Sequence, residues 1–284
     1  MAYARRHHER QAGAGECTQA RGAEFPSPTN IRPRGVEGVN AVIFRAISTT
    51  NPATVGNAMN EQPTAVRVWD LPTRIFHWVL ATCVIASIIS AWIGGNAMIL
   101  HFRLGYVAFT LLAFRMVWGL VGGHWSRFVN FLYAPATIAR YLRGQSRPDE
   151  HHEVGHNPLG AVAVFGLLAV LAAQVGTGLF SDDEISNTGP LAKFVSDATS
   201  HALTKWHSDY GQWLVIALIV LHLAAILYYF AVKKRNLARP MLTGDKQLVA
   251  AAPAAIDNAR SRTLAAVLLV LCAGVVGWVV NLGG

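Results

Sequence analysis

Residues 205–230 read KWHSDYGQWLVIALIVLHLAAILYYF. The run is apolar enough to cross a bilayer as a helix, yet it carries two histidines, His207 and His222, fifteen residues apart. Ionisable groups at membrane depth are costly, so each one is by default a statement about function. The rest of the chain agrees with a membrane setting. Of 284 residues, 52% are hydrophobic and 14% charged, well below the roughly 25% charge of a soluble domain. Apolar runs of about 17–25 residues, the length that crosses ~30 Å of hydrocarbon, occur at Ile75–Ile93, His101–Val121, Gly160–Phe180, Ser208–Ala231 and Leu264–Val280. Segments that span a bilayer in this way must satisfy their own backbone polar groups, which predicts α-helices.

Basic residues set the expected orientation. Arg127, Arg140, Arg143 and Arg147 lie between the second and third spans, and Lys233, Lys234, Arg235, Arg239, Lys246, Arg260 and Arg262 follow the fourth. These loops are assigned to the cytoplasm. Gly94–Leu100 has no cation, and Ser181–Trp206 sets Lys193 and Lys205 against Asp182, Asp183, Glu184 and Asp197, so these loops are assigned outside. The first span then starts in the cytoplasm and the C-terminus emerges on the outer side. The net charge of +8 is accounted for by topology, which removes the force of a nucleic-acid reading. Residues 1–58 are rich in Arg, Gly, Ala and Pro, with no apolar run long enough for a signal peptide. They read as a disordered tail, or as a segment upstream of a natural start at Met59.

Cys17, Cys83 and Cys272 are scattered, with no CxxCH and no CxxC, so any cofactor must be held without cysteine. Histidine is where the chemistry gathers. Of eleven histidines, His7, His8, His124, His151, His152, His156 and His201 fall in the tail or loops and need no special explanation, while His77, His101, His207 and His222 lie within spans or at their first residue. A lone intramembrane histidine can equally bond a neighbouring helix, but these four sort by depth. His207 and His222 are separated by about 22 Å along one helix and by ~60° around it. His101 opens the second span at the outer end, level with His207; His77, three residues after Arg74, matches His222 at the cytoplasmic end. His201, six residues before His207, lies ~9 Å further out and is expected to be exposed. Two stacked pairs of imidazoles suit two low-spin haem irons within an apolar bundle better than zinc, which takes three or four ligands at one level. Gly105 and Gly211 sit one turn beyond the outer histidines, where glycine would let a macrocycle approach the backbone.

The run WDLPTRIFHW, the segments HFRLGY and RMVWGLVGG of the second span, GHNPLGA at the start of the third and the two-histidine fourth span resemble the bacterial cytochrome b-561 family, which includes the b-type cytochrome subunit of nickel-iron hydrogenases. The resemblance covers roughly residues 67–245. It implies an all-α integral membrane protein: a four-helix transmembrane bundle with two noncovalent b haems ligated by His77, His101, His207 and His222, here followed by a fifth C-terminal helix. Many family members separate the two histidines of the fourth helix by fourteen residues; fifteen here predicts a tilt or π-bulge between them. The expected organisation is a tail over 1–66, the dihaem bundle over 67–245, and a linker with a packing helix over 246–284.

Arg115, fourteen residues beyond His101, could meet a haem propionate or snorkel to the surface. Arg74, Arg103 and Lys205 flank the ligands and could serve propionates likewise. The expected function is respiratory electron transfer in a bacterial inner membrane, between the quinone pool and a partner that the resemblance implies is a cytochrome c or a dehydrogenase subunit, with a quinone as a further ligand. The rival reading is a proton channel or transporter using the histidines as a relay without haem; a reduced-minus-oxidised spectrum separates the two.

Overall fold

The computed structural model describes residues 62–147, 154–184, 187–249 and 251–283. The 1–58 tail, Met59, Cys17, His7, His8, His151 and His152 lie outside them. Helix α1 spans Leu71–Ile93 and α2 spans Ala97–Val121. A short α3 over Pro135–Leu142 precedes α4 over Pro158–Leu179. Helix α5 over Asp197–Lys205 runs through a π-helical turn, Trp206–Gly211, into α6 over Gln212–Ala231. A short α7 covers Ala238–Thr243, and α8 covers Ala259–Asn281. Among the described residues, α1, α2, α4, the continuous Asp197–Ala231 segment and α8 are long and apolar enough to cross a membrane. All five expected spans are therefore helices.

Each spanning helix begins earlier than its apolar run, and all but α2 open on a polar cap residue that satisfies a free N–H group. Asp70 accepts from the Thr73 N–H at 2.8 Å, Asn157 from Gly160 at 2.7 Å and Asn258 from Ser261 at 3.0 Å, while Pro72 and Pro158 occupy first-turn positions where no N–H is missed. The fourth span departs most from expectation: the presumed loop before it contains α5, capped by Ser196, so His201 sits on a helix and not on a loop.

The bundle is not wholly α. Strand β1, Thr64–Arg67, pairs antiparallel with β2, Asp245–Leu248, in the register Thr64↔Leu248 to Arg67↔Asp245. This ribbon ties the entrance of α1 to the exit of the fourth span. Val68 and Trp69 donate to the Gly244 carbonyl, and Arg67 pairs with Asp245 at 2.5 Å and with Asp257 at 2.7 Å. Part of the expected tail, and of the expected linker, is thus ordered structure. The bundle end carrying the ribbon is called the ribbon end below, and the other the far end.

Phe76 and Leu80 of α1, Ala108, Leu111, Leu112, Phe114 and Trp118 of α2, Leu168 of α4 and Ala265 of α8 form one buried cluster. Helix α8 lies along α2, so the fifth span is a packing helix of this core. Helix α6 packs along α4 and buries only Val215 of its twenty residues. The rest of the helix is half-buried or exposed and mostly apolar, as expected of a helix that faces lipid.

Candidate metal-binding sites

The four membrane histidines meet in two pairs. His101 near the start of α2 faces His207 in the π turn, with ring centroids 6.0 Å apart and planes at 89°. His77 of α1 faces His222 of α6 at 6.5 Å and 54°. One pair lies at the far end and the other towards the ribbon end, joining the fourth span to two different helices as the depth argument requires. Two metal–imidazole bonds of ~2.0 Å and the inner halves of the two rings together span about 6 Å. The centroid separations of both pairs therefore match one metal ion held between two imidazoles, and exceed that of two rings in a direct hydrogen bond.

Tautomers at the far pair fit that use. His101 Nδ1 lies 2.9 Å from the Ser87 carbonyl and His207 Nδ1 lies 2.8 Å from the Gln174 carbonyl. A carbonyl only accepts, so each Nδ1 carries the proton and each Nε2 keeps its lone pair for a metal. At the other pair, His77 Nδ1 is buried with no hydrogen-bond partner. An orphaned ring nitrogen in a membrane bundle is costly and fits a site whose occupant completes it. Among the described residues no group of three or more His, Cys, Asp or Glu side chains could hold a metal. The donor sets are thus pairs, suited to a metal that brings its other ligands with it, as porphyrin iron does. Cys83 and Cys272 are free thiols outside both pairs.

The π turn explains the fifteen-residue spacing. One extra residue in a helix is absorbed by an i→i+5 bond, here from the Gln212 N–H to the His207 carbonyl. The extra residue is absorbed in the turn that carries His207 itself.

The supporting residues divide. Gly105 faces open space, where an added Cβ would meet no atom, as a macrocycle needs. Gly211 does not: an added Cβ would collide with Gln174 Oε1 and the Trp206 ring, so its glycine serves a protein contact rather than a cofactor. Arg115 neither snorkels nor opens towards a pair. It is buried, donates to the Ser126 carbonyl at 3.0 Å and stacks 4.5 Å over Phe128. Ser126 donates in turn to Asp70 at 2.6 Å, and Trp118 Nε1 reaches the same carboxylate at 3.3 Å. This buried network closes the ribbon end of α1 and α2. Arg74 donates to the Leu242 carbonyl at 2.6 Å and so braces α7. Arg103 and Lys205 are exposed and stay available to an anionic group. His201 is 70% exposed, 3.6 Å from Glu184, as expected of a residue outside the site.

Two features escaped the sequence. Gly178 of α4 touches the His207 ring, since an added Cβ would lie 2.8 Å from Cε1. His156, at the mouth of α4, packs between Trp69 and Phe131 with ring centroids 4.7 and 4.5 Å away; burial, then the charges of Arg115 and Lys246, push it down to about 3.

Comparison with known proteins identifies the family. The family model described as prokaryotic cytochrome b561 matches residues 68–244, more than half of the chain. The chain is similar to a protein of Bradyrhizobium diazoefficiens named probable Ni/Fe-hydrogenase B-type cytochrome subunit, 24% identical over 64% of this chain and 86% of the relative. It resembles to a like degree a protein of Azotobacter chroococcum named probable Ni/Fe-hydrogenase B-type cytochrome subunit (26%, 66% and 91%) and one of Escherichia coli named probable Ni/Fe-hydrogenase 1 B-type cytochrome subunit (25%, 55% and 79%). No solved structure matches the chain.

Proposed function

We propose, since this chain belongs to the prokaryotic cytochrome b561 family, that it is a multi-pass membrane cytochrome whose two histidine pairs hold two noncovalent b haems and pass electrons across the bilayer. The observation that carries the reading is the pair of facing imidazoles at each of two depths, 6.0 and 6.5 Å between centroids. Haem supplies one-electron chemistry, with its iron closed by two imidazoles and its potential tuned by the surrounding protein. The chain's own residues bind and orient. His101 and His207 are held by the Ser87 and Gln174 carbonyls, His77 and His222 face each other across α1 and α6, and the apolar faces of α1, α2, α4 and α6 exclude water from both levels. Their separation of about 22 Å along the fourth span makes the bundle a path between the two membrane surfaces.

The ribbon end faces the cytoplasm of a bacterial inner membrane in this proposal. Support comes from Arg127, Arg140, Arg143, Arg147, Lys233, Lys234, Arg235 and Arg239 at that end, against Asp182, Asp183, Glu184 and Asp197 at the far end. The relatives' names support a hydrogenase-type catalytic subunit as the redox partner; the names bear on neither a cytochrome c nor the quinone pool, which this proposal takes as the other terminus. The test is a ligand series read by optical redox titration. His101→Ala and His207→Ala should remove one and the same spectral component, and His77→Ala and His222→Ala the other. Loss of the same component in His101→Ala and His77→Ala would refute the pairing.

A further inference from the structure

Helix α4 carries two polar side chains, Gln174 and Thr177, and a carboxamide within a membrane span needs a reason. Gln174 meets His207 twice. Its main-chain carbonyl accepts from the ring Nδ1 at 2.8 Å, and its side-chain Nε2 donates to the His207 main-chain carbonyl at 3.0 Å. That second carbonyl is the one that closes the π turn with the Gln212 N–H. Thr177 Oγ1 adds a contact at 3.4 Å from the same Nδ1. Gly211, one turn on, leaves the space in which the carboxamide sits, because an added Cβ would strike Gln174 Oε1. Among the described residues no hydrogen bond reaches His77 Nδ1, and none is made by the His222 ring.

We propose that Gln174 is a positioning residue for His207: with Gly211 making room, it locks the π turn and the ring of this one ligand, and thereby sets the redox potential of the haem shared with His101. The proposal rests on the two-haem reading above. An imidazole whose N–H is held by a carbonyl is a stronger electron donor, and such outer contacts orient the ligand and tune the metal. Stronger donation favours the oxidised iron and lowers the potential. The carboxamide keeps backbone and ring in register for that bond, so removing it weakens donation at one haem and leaves the other alone.

Gln174→Met keeps length and apolar packing while deleting the donor. The experiment is an optical redox titration of the full, haem-loaded chain, with an electron paramagnetic resonance spectrum of the oxidised protein. The component assigned to His101 and His207 should rise in potential by about a tenfold change in equilibrium constant, which is ~59 mV for one electron, with a changed resonance line, while the His77–His222 component stays put. Selective loss of the first component supports the proposal equally. An unmoved first component, or equal movement of both, overturns it. Should Gln174→Met fail to accumulate, Gly211→Ala reads the same contact from the other side, and the same criteria decide. A wild-type protein without haem would instead defeat the two-haem reading. Two wild-type components with an unmoved Gln174→Met would defeat this inference alone.

Discussion

Gly178→Ala should damage one haem site while its neighbour Gly176→Ala should not. The two glycines lie half a turn apart on α4, and both would gain the helix preference of alanine, about 0.5–1 kcal/mol. An added Cβ at Gly176 meets nothing within 4 Å, whereas at Gly178 it lies 2.8 Å from His207 Cε1 and 3.2 Å from Nδ1. Ordinary contact of this kind falls at about 3.5–4.0 Å, so the imidazole must move by more than half an ångström. Relief would come at the expense of the 2.8 Å bond to the Gln174 carbonyl. Overpacking of a fitted site costs about 1–3 kcal/mol, which exceeds the helix gain, and displaced outer contacts typically lower metal affinity by about 10–100-fold. Gly178→Ala is therefore expected to lose, or to bind at least tenfold more weakly, the haem shared by His101 and His207, measured as the amplitude of that component in a reduced-minus-oxidised spectrum. Gly176→Ala should keep both components and melt no lower than wild type. Full amplitude in Gly178→Ala, or loss of the His77–His222 component instead, would refute the placement of His207 against α4.

Three further outcomes follow from other parts of the bundle. His207→Ala should remove one haem and His201→Ala none, because His201 is exposed beside Glu184; haem counts in the two purified variants check this, and the reverse pattern would move the ligand to α5. Asp70→Ala removes a helix cap worth ~1 kcal/mol and leaves the buried Ser126 hydroxyl and Trp118 Nε1 without their carboxylate acceptor, where each unsatisfied buried donor costs about 1–3 kcal/mol. The protein should lose several kcal/mol of stability or fail to accumulate, and a thermal midpoint within a degree or two of wild type would contradict the network's role. His156 is held at about 3 by burial and by Arg115 and Lys246, against an ordinary value of ~6.5. The unfolded chain thus binds the extra proton first, so stability is full above about 6.5 and falls with pH below it. His156→Phe should flatten the fall of the thermal midpoint between about pH 7 and pH 5, and unchanged slopes would show that another group titrates there.

The spans and the histidine pairs were legible because both are periodic and chemical signals: apolar length gives the helices, and equal depth on helices of fixed rise gives the partners. The π turn was legible as a count, one residue too many between His207 and His222, without its position. Arg115 was misplaced because depth alone says nothing of direction around a helix; the turn at Ser126 and Phe128 folds back to meet it, a tertiary fact with no local trace. Gly211 was given to a macrocycle because small residues serve protein and cofactor contacts alike. The orienting carbonyls of Ser87 and Gln174 have no sequence signal, since every residue offers one. The ribbon between Thr64–Arg67 and Asp245–Leu248 joins segments far apart in sequence, each too short and too polar to read as a strand.

Two haems in one chain are what an electron path between the two histidine pairs requires. A pyridine haemochrome assay against protein mass, on full chain purified from haem-supplied cells, should give two noncovalently extractable b haems per polypeptide, falling to one in His101→Ala and again one in His77→Ala. A wild-type ratio of one or zero under those conditions, with both histidine pairs intact, would contradict it.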